Sequence, residues 1–446
     1  MEPNSALAEI PIITLLFIIF FITALVIIFK SLKSIGPTEI GLVNKRFSFS
    51  KLTDDNPIAF NGEAGYQEQL LMPGLRFKLW PIFHIAKHPW VQVPAGEIGV
   101  VIAQVGKPLP MGAKSAIYKT EFGNFSHVKD FILKGGQKGV QRPVLPPGSL
   151  LPIHPVGFLV ITKKQVYGSS VAPEIRELAA KRGGLLTPEA FGLKPNQLDV
   201  VLIEPRHDET GKAIDVVGIV TVNDGDPLSS GDIASRLGAF EDISKLETSS
   251  NISDMSLMET ILGNKNTLHN NYQDFQAFID NGGRIGLQHD PLLYGMYNLN
   301  PFLVNVEIAP MLVIEQGQVA VIKSYVGLPS QDTSGSDFKF GSIVRPGHRG
   351  IWREALRTGK YPLNSHCYKA EIVPTAILNL NWADASSQAH NLDQNLKQIV
   401  AKSREGFVFK IDLQVQIHIP DTQASKVISM VGSVRNLVNE VLQAAV

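Results

Sequence analysis

The chain has 446 residues, and its 41 Lys and Arg are balanced by 41 Asp and Glu, so the formal net charge is zero. A zero balance gives no argument for a basic surface that binds nucleic acid, and none for an acidic tail. The single cysteine, Cys367, excludes an internal disulfide and any zinc or redox site built on paired cysteines. The length and the 44% hydrophobic share predict several domains with packed cores.

The first feature in chain order is an uncharged apolar run from Ile10 to Phe29. As a helix this run would span about 30 Å, the thickness of the hydrocarbon core of a bilayer. A secretory signal peptide is the alternative, but the run is too long for one and no small-residue cleavage site follows it. We therefore predict a transmembrane helix over residues 10–29, within an N-terminal segment 1–34. Its anchor residues include Ile10, Phe17, Phe20 and Phe29.

Charges on the two sides of this run indicate its orientation. Glu2 and Glu9 precede it, whereas Lys30 and Lys33 follow it. Because positive residues stay on the cytoplasmic side, we predict a single-pass protein of the cell membrane with the bulk of the chain in the cytoplasm. A lone cysteine agrees with a reducing compartment.

A glycine pattern then occurs four times with identical internal spacing. The pattern is Gly-x-x-Gly-x-(Gln or Trp)-x-x-x-Leu-x-x-Gly, and the copies begin 74, 147 and 64 residues apart. A phosphate-binding loop is the functional alternative, but no Walker or dinucleotide-binding motif is present. Four copies favour an architectural role, with glycines in turns that need a positive φ or close backbone approach. The members are Gly62, Gly65, Gln67, Leu71 and Gly74; Gly136, Gly139, Gln141, Leu145 and Gly148; Gly283, Gly286, Gln288, Leu292 and Gly295; Gly347, Gly350, Trp352, Leu356 and Gly359.

Three of the copies are preceded by a short strand-like run that ends in a Gly-x-Pro turn. These runs begin at Val100, Ile219 and Val319, and β-branched runs bounded by Gly and Pro predict β-strands. Each unit is therefore interpreted as a small β-domain that stacks on its neighbours. The predicted domains are β-unit 1 at 35–92, β-unit 2 at 93–156, β-unit 3 with a helical insert at 157–312, and a terminal module at 313–446.

Aromatic and basic residues cluster shortly after the apolar run. His84 and His88 lie there with a four-residue spacing that could place two metal ligands on one helical face, but prolines bracket them and no third ligand is evident. Two interpretations stay open: the aromatic residues pack the first β-unit, or they lie at the level of lipid headgroups. The candidates for headgroup contact are Trp80, Phe83 and Trp90. We predict no metal site and no cofactor.

The search for catalytic residues finds one pair. The sequence has no G-x-S-x-G, H-E-x-x-H or Walker motif, whereas His366 and Cys367 could form a nucleophile and its base. The competing interpretation puts Cys367 in the core of a strand, with His366 pointing the other way. We therefore predict that the protein is not an enzyme, and a hydrolase using this pair stays an alternative.

Near the C-terminus, residues 406–420 alternate apolar and polar side chains without interruption. The pattern predicts one half-buried strand whose apolar face runs from Phe409 to Ile419. The polar face must meet either water or a neighbouring subunit, and its residues are the predicted assembly candidates: Lys410, Asp412, Gln414, Gln416 and His418.

An amphipathic helix follows, capped by Asp421 or Thr422. Its valines, from Val427 to Val441, fall on one face. The pattern reaches Val446 without a C-cap, so we expect the chain to continue.

Three segments of about the last 130 residues resemble the SPFH, or band-7, superfamily, which includes stomatins, prohibitins and flotillins. They are Gly350–Ser365, Pro374–Leu380 and the alternating strand that ends at Ile419. The N-terminal membrane segment followed by repeated β-units is similar to bacterial flotillin-like members, although tandem multiplication is not typical of short stomatins. Stacked units also resemble the vault shell protein, at the level of architecture only.

The resemblance implies a function. Members of this superfamily assemble through adjacent modules into large membrane-attached rings or cages, organise membrane microdomains, and in some cases enclose or regulate membrane proteases. They have no active site of their own, and they usually continue into a long charged coiled coil, which is missing from this sequence.

The expectation is thus an α+β, membrane-anchored, self-assembling scaffold. Its expected partners are membrane lipid, copies of itself in a large homo-oligomer, and a membrane protease or other membrane-protein client, but not nucleic acid. A low-copy regulator or adaptor of a membrane protease is the alternative.

Overall fold

The computed structural model describes residues 12–445, except 51, 53–55, 182–185, 208, 249–251, 336–342 and 384–391. Helices and strands are mixed along this length, which confirms the α+β class. The chain divides into two compact units. The first comprises Met1–Val201, Gln273–Gln276 and Asn298–Leu303, and the second comprises Leu202–Tyr272, Ala277–Tyr297 and Val304–Val446.

The first unit begins with a long apolar helix that leads into the first copy of the repeat. Strands β3-β4-β2-β6 form a four-stranded sheet in that order, and β1 pairs antiparallel with β5. The elements are α1 (Ile12–Ser31), β1 (Leu32–Ile35), β2 (Glu39–Lys45), β3 (Ile58–Ala59), β4 (Gly65–Gln67), β5 (Gly74–Phe77) and β6 (Phe83–Pro89).

The second copy has the same plan. Strands β12-β11-β8-β9 form its sheet, and β7 pairs with β10. Because β11 pairs with β8, the second copy extends beyond the domain boundary predicted at residue 156. The elements are β7 (Val91–Gln92), β8 (Gly99–Ala103), a 3₁₀ turn (Thr120–Phe125), α2 (Val128–Leu133), β9 (Gly139–Leu145), β10 (Leu150–Leu151), β11 (Phe158–Ile161) and β12 (Val166–Tyr167).

The third copy is preceded and interrupted by helical segments, as the sequence predicts for its insert. Strands β17-β16-β19 form its sheet, β13 pairs with β18, and β14 and β15 form a hairpin. The elements are α3 (Pro173–Lys181), 3₁₀ turns (Pro188–Phe191 and Pro195–Leu198), β13 (Val201–Ile203), β14 (Arg206–His207), β15 (Ala213–Ile214), β16 (Val216–Val222), α4 (Glu241–Glu247), α5 (Asp254–Leu262), a 3₁₀ turn (Asn266–His269), α6 (Phe275–Asp280), β17 (Gly286–Leu287), β18 (Gly295–Tyr297) and β19 (Val304–Pro310).

The fourth copy completes the series and is followed by the terminal segment. Its sheet has the order β22-β23-β21-β25, and β20 pairs with β24. The elements are β20 (Leu312–Ile314), β21 (Gln318–Ser324), β22 (Ile343–Val344), β23 (Gly350–Trp352), β24 (Gly359–Tyr361), β25 (Tyr368–Pro374), β26 (Leu378–Trp382), β27 (Ile399–Lys402), β28 (Val408–Ile411), β29 (Leu413–Ile417), a 3₁₀ turn (Asp421–Gln423), α7 (Ala424–Val431), α8 (Val434–Asn436), a π-helical stretch (Leu437–Leu442) and α9 (Gln443–Ala445).

The glycines of the pattern are structural, as predicted. Gly65, Gly139, Gly286 and Gly350 begin equivalent strands with φ between +103° and +140°, a region that side chains with a Cβ rarely adopt. The glycine of each strand-ending turn lies against the backbone of the first glycine of the following pattern. In the third copy, a Cβ on Gly225 would lie 2.7 Å from the carbonyl oxygen of Gly283.

The glutamine of the pattern forms hydrogen bonds with backbone carbonyls at and just before the start of its strand. In three copies its Nε2 donates hydrogen bonds to the carbonyl oxygens four and two residues earlier, at 2.8–3.0 Å. Gln141 and Gln288 are buried, so these bonds satisfy polar groups away from water. In the fourth copy Trp352 takes this place and is fully buried in a core with Cys367 and Tyr368.

The terminal segment differs from its prediction in two respects. The single strand predicted over 406–420 is two strands, β28 and β29, which pair with β27 and β26 respectively. The prediction that Phe409 and Ile411 lie on a buried face is wrong, since both side chains are exposed. The half-buried face begins at Leu413, because β29 packs on the buried core around Leu380 and Trp382, whereas β28 places no side chain there.

The terminal helix is also interrupted. Gly432 has a φ of +81° and ends α7, and the Oγ of Ser433 then caps α8 by accepting a hydrogen bond from the Asn436 N–H at 3.2 Å. The sequence periodicity does not reveal this break, because the valines keep the same helical spacing on both sides of it. The continuous helix predicted from residue 421 is therefore a series of short helices.

Candidate functional site

Helix α1 is the first candidate element. Over residues 14–31 it is long and apolar enough to cross a membrane, with a mean hydropathy of 2.5. Phe17, Phe20 and Phe29 are exposed, whereas Ile10 lies outside the described residues. A helix that is hydrophobic on all sides and exposed is typical of a membrane span or of a signal sequence.

A short polar contact network fixes the helix to the first β-unit. Ser31 is fully buried at the last turn, and its Oγ donates to the Ile27 carbonyl at 2.5 Å and accepts from the Trp80 N–H at 2.9 Å. The Ser31 carbonyl accepts from the Lys78 N–H at 3.0 Å. Lys30 places its ammonium 4.5 Å from the centre of the Trp80 ring, a cation–π contact.

The three aromatic candidates for headgroup contact lie apart. Trp80 adjoins the end of α1, and Phe83 begins strand β6, where Lys78 approaches its ring at 5.4 Å. Trp90 follows the other end of β6, about 20 Å along the strand. Its indole N–H donates to the Glu39 carbonyl at 3.0 Å, so this ring packs the first β-unit. The structure brings Trp80, and not Trp90, to the helix exit.

His84 and His88 lie on strand β6 and not on a helix. Residues four apart on a strand are separated by about 13 Å, too far for one metal ion. Within the described ranges, no group of three or more His, Cys, Asp or Glu side chains could hold a metal ion. His88 borders a cavity of about 190 Å³, lined also by Phe158 and Tyr167, and burial lowers its pKa.

A polar side chain of one β-unit repeatedly reaches the pattern glutamine of the preceding one. In the first compact unit His154 Nε2 bonds to the Gln67 carbonyl at 3.2 Å, and in the second Asn364 Nδ2 donates to the Gln288 carbonyl at 2.8 Å. Asn300, which belongs to the first compact unit, donates to the Gln141 carbonyl at 2.9 Å.

The same three side chains also accept hydrogen bonds from the backbone two residues ahead: Val156 N–H to His154, Phe302 N–H to Asn300, and His366 N–H to Asn364. Sequence analysis missed them. Their signal was a polar residue five or six positions after the last glycine of the pattern.

A buried polar cluster in the second compact unit was missed as well. His289 Nδ1 lies 2.6 Å from Asp290 Oδ1, and its Nε2 lies 2.6 Å from the Tyr368 hydroxyl. Burial acts to raise the pKa of Asp290, but the hydrogen bond and charge of His289 outweigh it and lower that pKa. No sequence signal marks this cluster, because Tyr368 comes 79 residues after His289. The cluster joins the third and fourth β-units.

The structure separates the proposed nucleophile pair. Cys367 is fully buried, and burial followed by the nearby Asp290 charge raises the pKa of its thiol to about 12. His366 points to the surface, where its Nε2 lies 3.3 Å from Glu307 Oε2. A buried, protonated thiol without a base is a poor nucleophile, so this geometry gives the hydrolase alternative no support.

The predicted assembly candidates lie along β28 and β29 and just after them. Lys410, Asp412, Gln414, Gln416 and His418 are all exposed. Asp412 accepts a hydrogen bond from the Gln398 amide at 2.5 Å. The opposite face of β29 is half-buried, and Ile419 beyond it is buried. We call these five residues the polar strip, and it stays a predicted contact surface.

Comparison with known proteins adds no assignment. The chain matches no protein-family model and no curated protein.

Proposed function

We propose that this chain is a membrane-anchored scaffold that assembles with copies of itself into a ring or cage and so organises a patch of membrane. The observation that carries the proposal is the direct join of α1 to the first β-unit through buried Ser31. An exposed apolar helix held in this way would tether the following β-units to a bilayer. The resemblance to SPFH proteins, and to flotillin-like members among them, supports the same function.

The mechanism of such a scaffold is geometric. A helix in the bilayer restricts each chain to two dimensions, which raises the effective concentration of neighbouring copies. A heterologous contact that repeats with a fixed rotation closes into a ring. The polar strip of β28 and β29 is the surface we propose for this contact, and its mixture of Lys410, Asp412 and amides suits a polar, reversible interface. In this proposal the β-units face the cytoplasm.

The first experiment measures assembly of the full chain in mild detergent. Multi-angle light scattering should give a particle of megadalton order, and Gln416→Arg should lower its mass by placing a charge in the contact. Met430→Gln, an exposed change on α7, is the matched control and should leave the mass unchanged. A small oligomer for the unaltered chain would contradict the scaffold and favour the adaptor of a membrane protease.

Intact-mass measurement of the same membrane-extracted protein tests the anchor. A signal sequence near the N-terminus can also contain a helix apolar enough to cross a membrane, but it would be removed. The proposal requires that the mature protein retains the helix, so a mass that lacks the residues before Leu32 would contradict it.

A further inference from the structure

We propose that the two-stranded ribbon β1–β5 is a second lipid contact, lying in the headgroup region of an anionic bilayer beside the exit of α1. The ribbon consists of Leu32–Ile35 and Gly74–Phe77, and it begins where the helix ends. The inference rests on the membrane attachment of the proposed function and goes beyond the helix itself.

One face of the ribbon is apolar and exposed. Leu75 and Phe77 alternate along β5, which puts them on one side, and Leu79 follows just beyond the strand. Their exposed fractions are 70%, 56% and 43%. Leu32 lies directly opposite Phe77 in the pairing and is exposed too. An exposed apolar strip continuous with an exposed apolar helix marks a surface for membrane.

The other face of the ribbon is basic. Lys33 lies directly opposite Arg76 in the antiparallel pairing, and Lys78 follows just beyond β5. Like charges at directly opposite positions destabilise a strand pair, and anionic headgroups would relieve that repulsion. The sequence contains no acid from Ile10 to Thr38 or from Gln69 to Gly96, so no Asp or Glu within these two segments competes for the contact.

The corresponding positions of the third β-unit provide an internal comparison. Met296 follows Gly295 as Leu75 follows Gly74, and it is 71% exposed. No basic residue lies between Gly295 and Leu303, however. An apolar side chain at this position is thus equally exposed in both β-units, and only the first adds basic residues and a neighbouring apolar helix.

The test places a fluorescent label at single positions of the full chain. Leu75→Cys carries an environment-sensitive NBD group, Met296→Cys is the matched control, and Phe29→Cys reports insertion of the helix. Native Cys367 is buried, and the unaltered chain measures any labelling of it. Each protein is reconstituted into phosphatidylcholine–phosphatidylglycerol vesicles with and without doxyl-labelled quencher lipid, and circular dichroism checks that all variants keep the same fold.

We expect quencher lipid to reduce fluorescence at positions 29 and 75 and to leave position 296 unchanged. Quenching at 75 should weaken in vesicles without phosphatidylglycerol, while quenching at 29 should not. Quenching at 29 without quenching at 75 overturns the inference and leaves the anchor intact; a blue shift at 75 in that case identifies a protein contact as the occupant. Absence of quenching at both positions overturns the anchor and the ribbon contact together.

Discussion

Single residues define the repeat, because each of them allows a backbone conformation or satisfies a backbone hydrogen bond that other residue types would not. Glycines at strand starts adopt positive φ, and those in the strand-ending turns leave room for a neighbouring carbonyl. The buried glutamines donate to two carbonyls of their own strand. A leucine or alanine in either place would leave strain or an unpaired polar group, which explains why the spacing is identical while the residues between vary.

Two glycines that follow strand β8 separate these effects. Gly106 has a φ of +104°, and a Cβ there would overlap the carbonyl of Gly136, whereas Gly112 has a φ of +91° and open space. We expect Gly112→Ala to lower the free energy of unfolding by about 1–2 kcal/mol, the cost of a positive φ, and Gly106→Ala to cost clearly more. Chemical denaturation in detergent measures both. Equal losses would refute the close approach of the two backbones.

Buried His154 makes the free energy of unfolding of the first compact unit depend on pH. Burial, then the neighbouring His88 charge, lowers the pKa of His154 from 6.5 to about 4, against the opposing hydrogen bond to Gln67. Between these pH values the unfolded chain binds a proton that the folded chain does not. The free energy of unfolding is therefore largest above about pH 6.5 and falls as the pH drops towards 4, by about 3 kcal/mol in total.

His154→Asn is the variant that checks this prediction. Asn300 and Asn364 make the equivalent bonds in later β-units, so asparagine can keep the contact and cannot titrate. Denaturation series at several pH values should show a flatter profile for the variant than for the unaltered chain. Parallel profiles would mean that other groups cause the acid sensitivity.

At the scale of elements, the terminal helices close one side of the fourth β-unit. Ile428 on α7 and Ala424 pack against Val319, Val321 and Val373. Lys323 adds a hydrogen bond to the Gly432 carbonyl at 3.3 Å. The break at Gly432 turns the following helix so that Val438 reaches the neighbouring core around Leu380. The predicted apolar face is correct for Val427 and Val434, which lie at the first core, and for Val438 at the second, but it is wrong for Val441, which is exposed.

Paired substitutions on these helices test the packing. Ile428→Ala removes a buried side chain and should lower the free energy of unfolding by about 2–5 kcal/mol. Val441→Ala, at an exposed position, should change it by less than about 0.5 kcal/mol. Urea unfolding of the full chain followed by circular dichroism measures the difference. Similar effects of the two changes would show that α7 does not hold the fourth β-unit in solution.

At the scale of the whole molecule, apolar side chains are exposed in one part of the chain and buried in the rest. Helix α1 exposes apolar side chains along its length, whereas the β-units bury theirs in separate cores, such as the phenylalanine cluster of the second copy and the Trp352 core of the fourth. The zero net charge of the whole chain is the sum of segments that differ in charge. The β1–β5 ribbon carries Lys33 and Arg76 and the helical insert carries several acids, so local charge and not the total governs the expected contacts.

The sequence by itself determined the apolar helix, the four-fold pattern and its strands, because period, glycine spacing and hydrophobicity are local properties. It also offered a buried Cys367 with His366 pointing away, although the structure places both residues in the turn before β25 and not on a strand. Only the tertiary structure decided which polar side chains meet: His154 with Gln67, and His289 with Asp290 and Tyr368. It also decided that Phe409 and Ile411 are exposed and that Leu75 and Phe77 flank the helix exit, because burial depends on which distant segment covers a face.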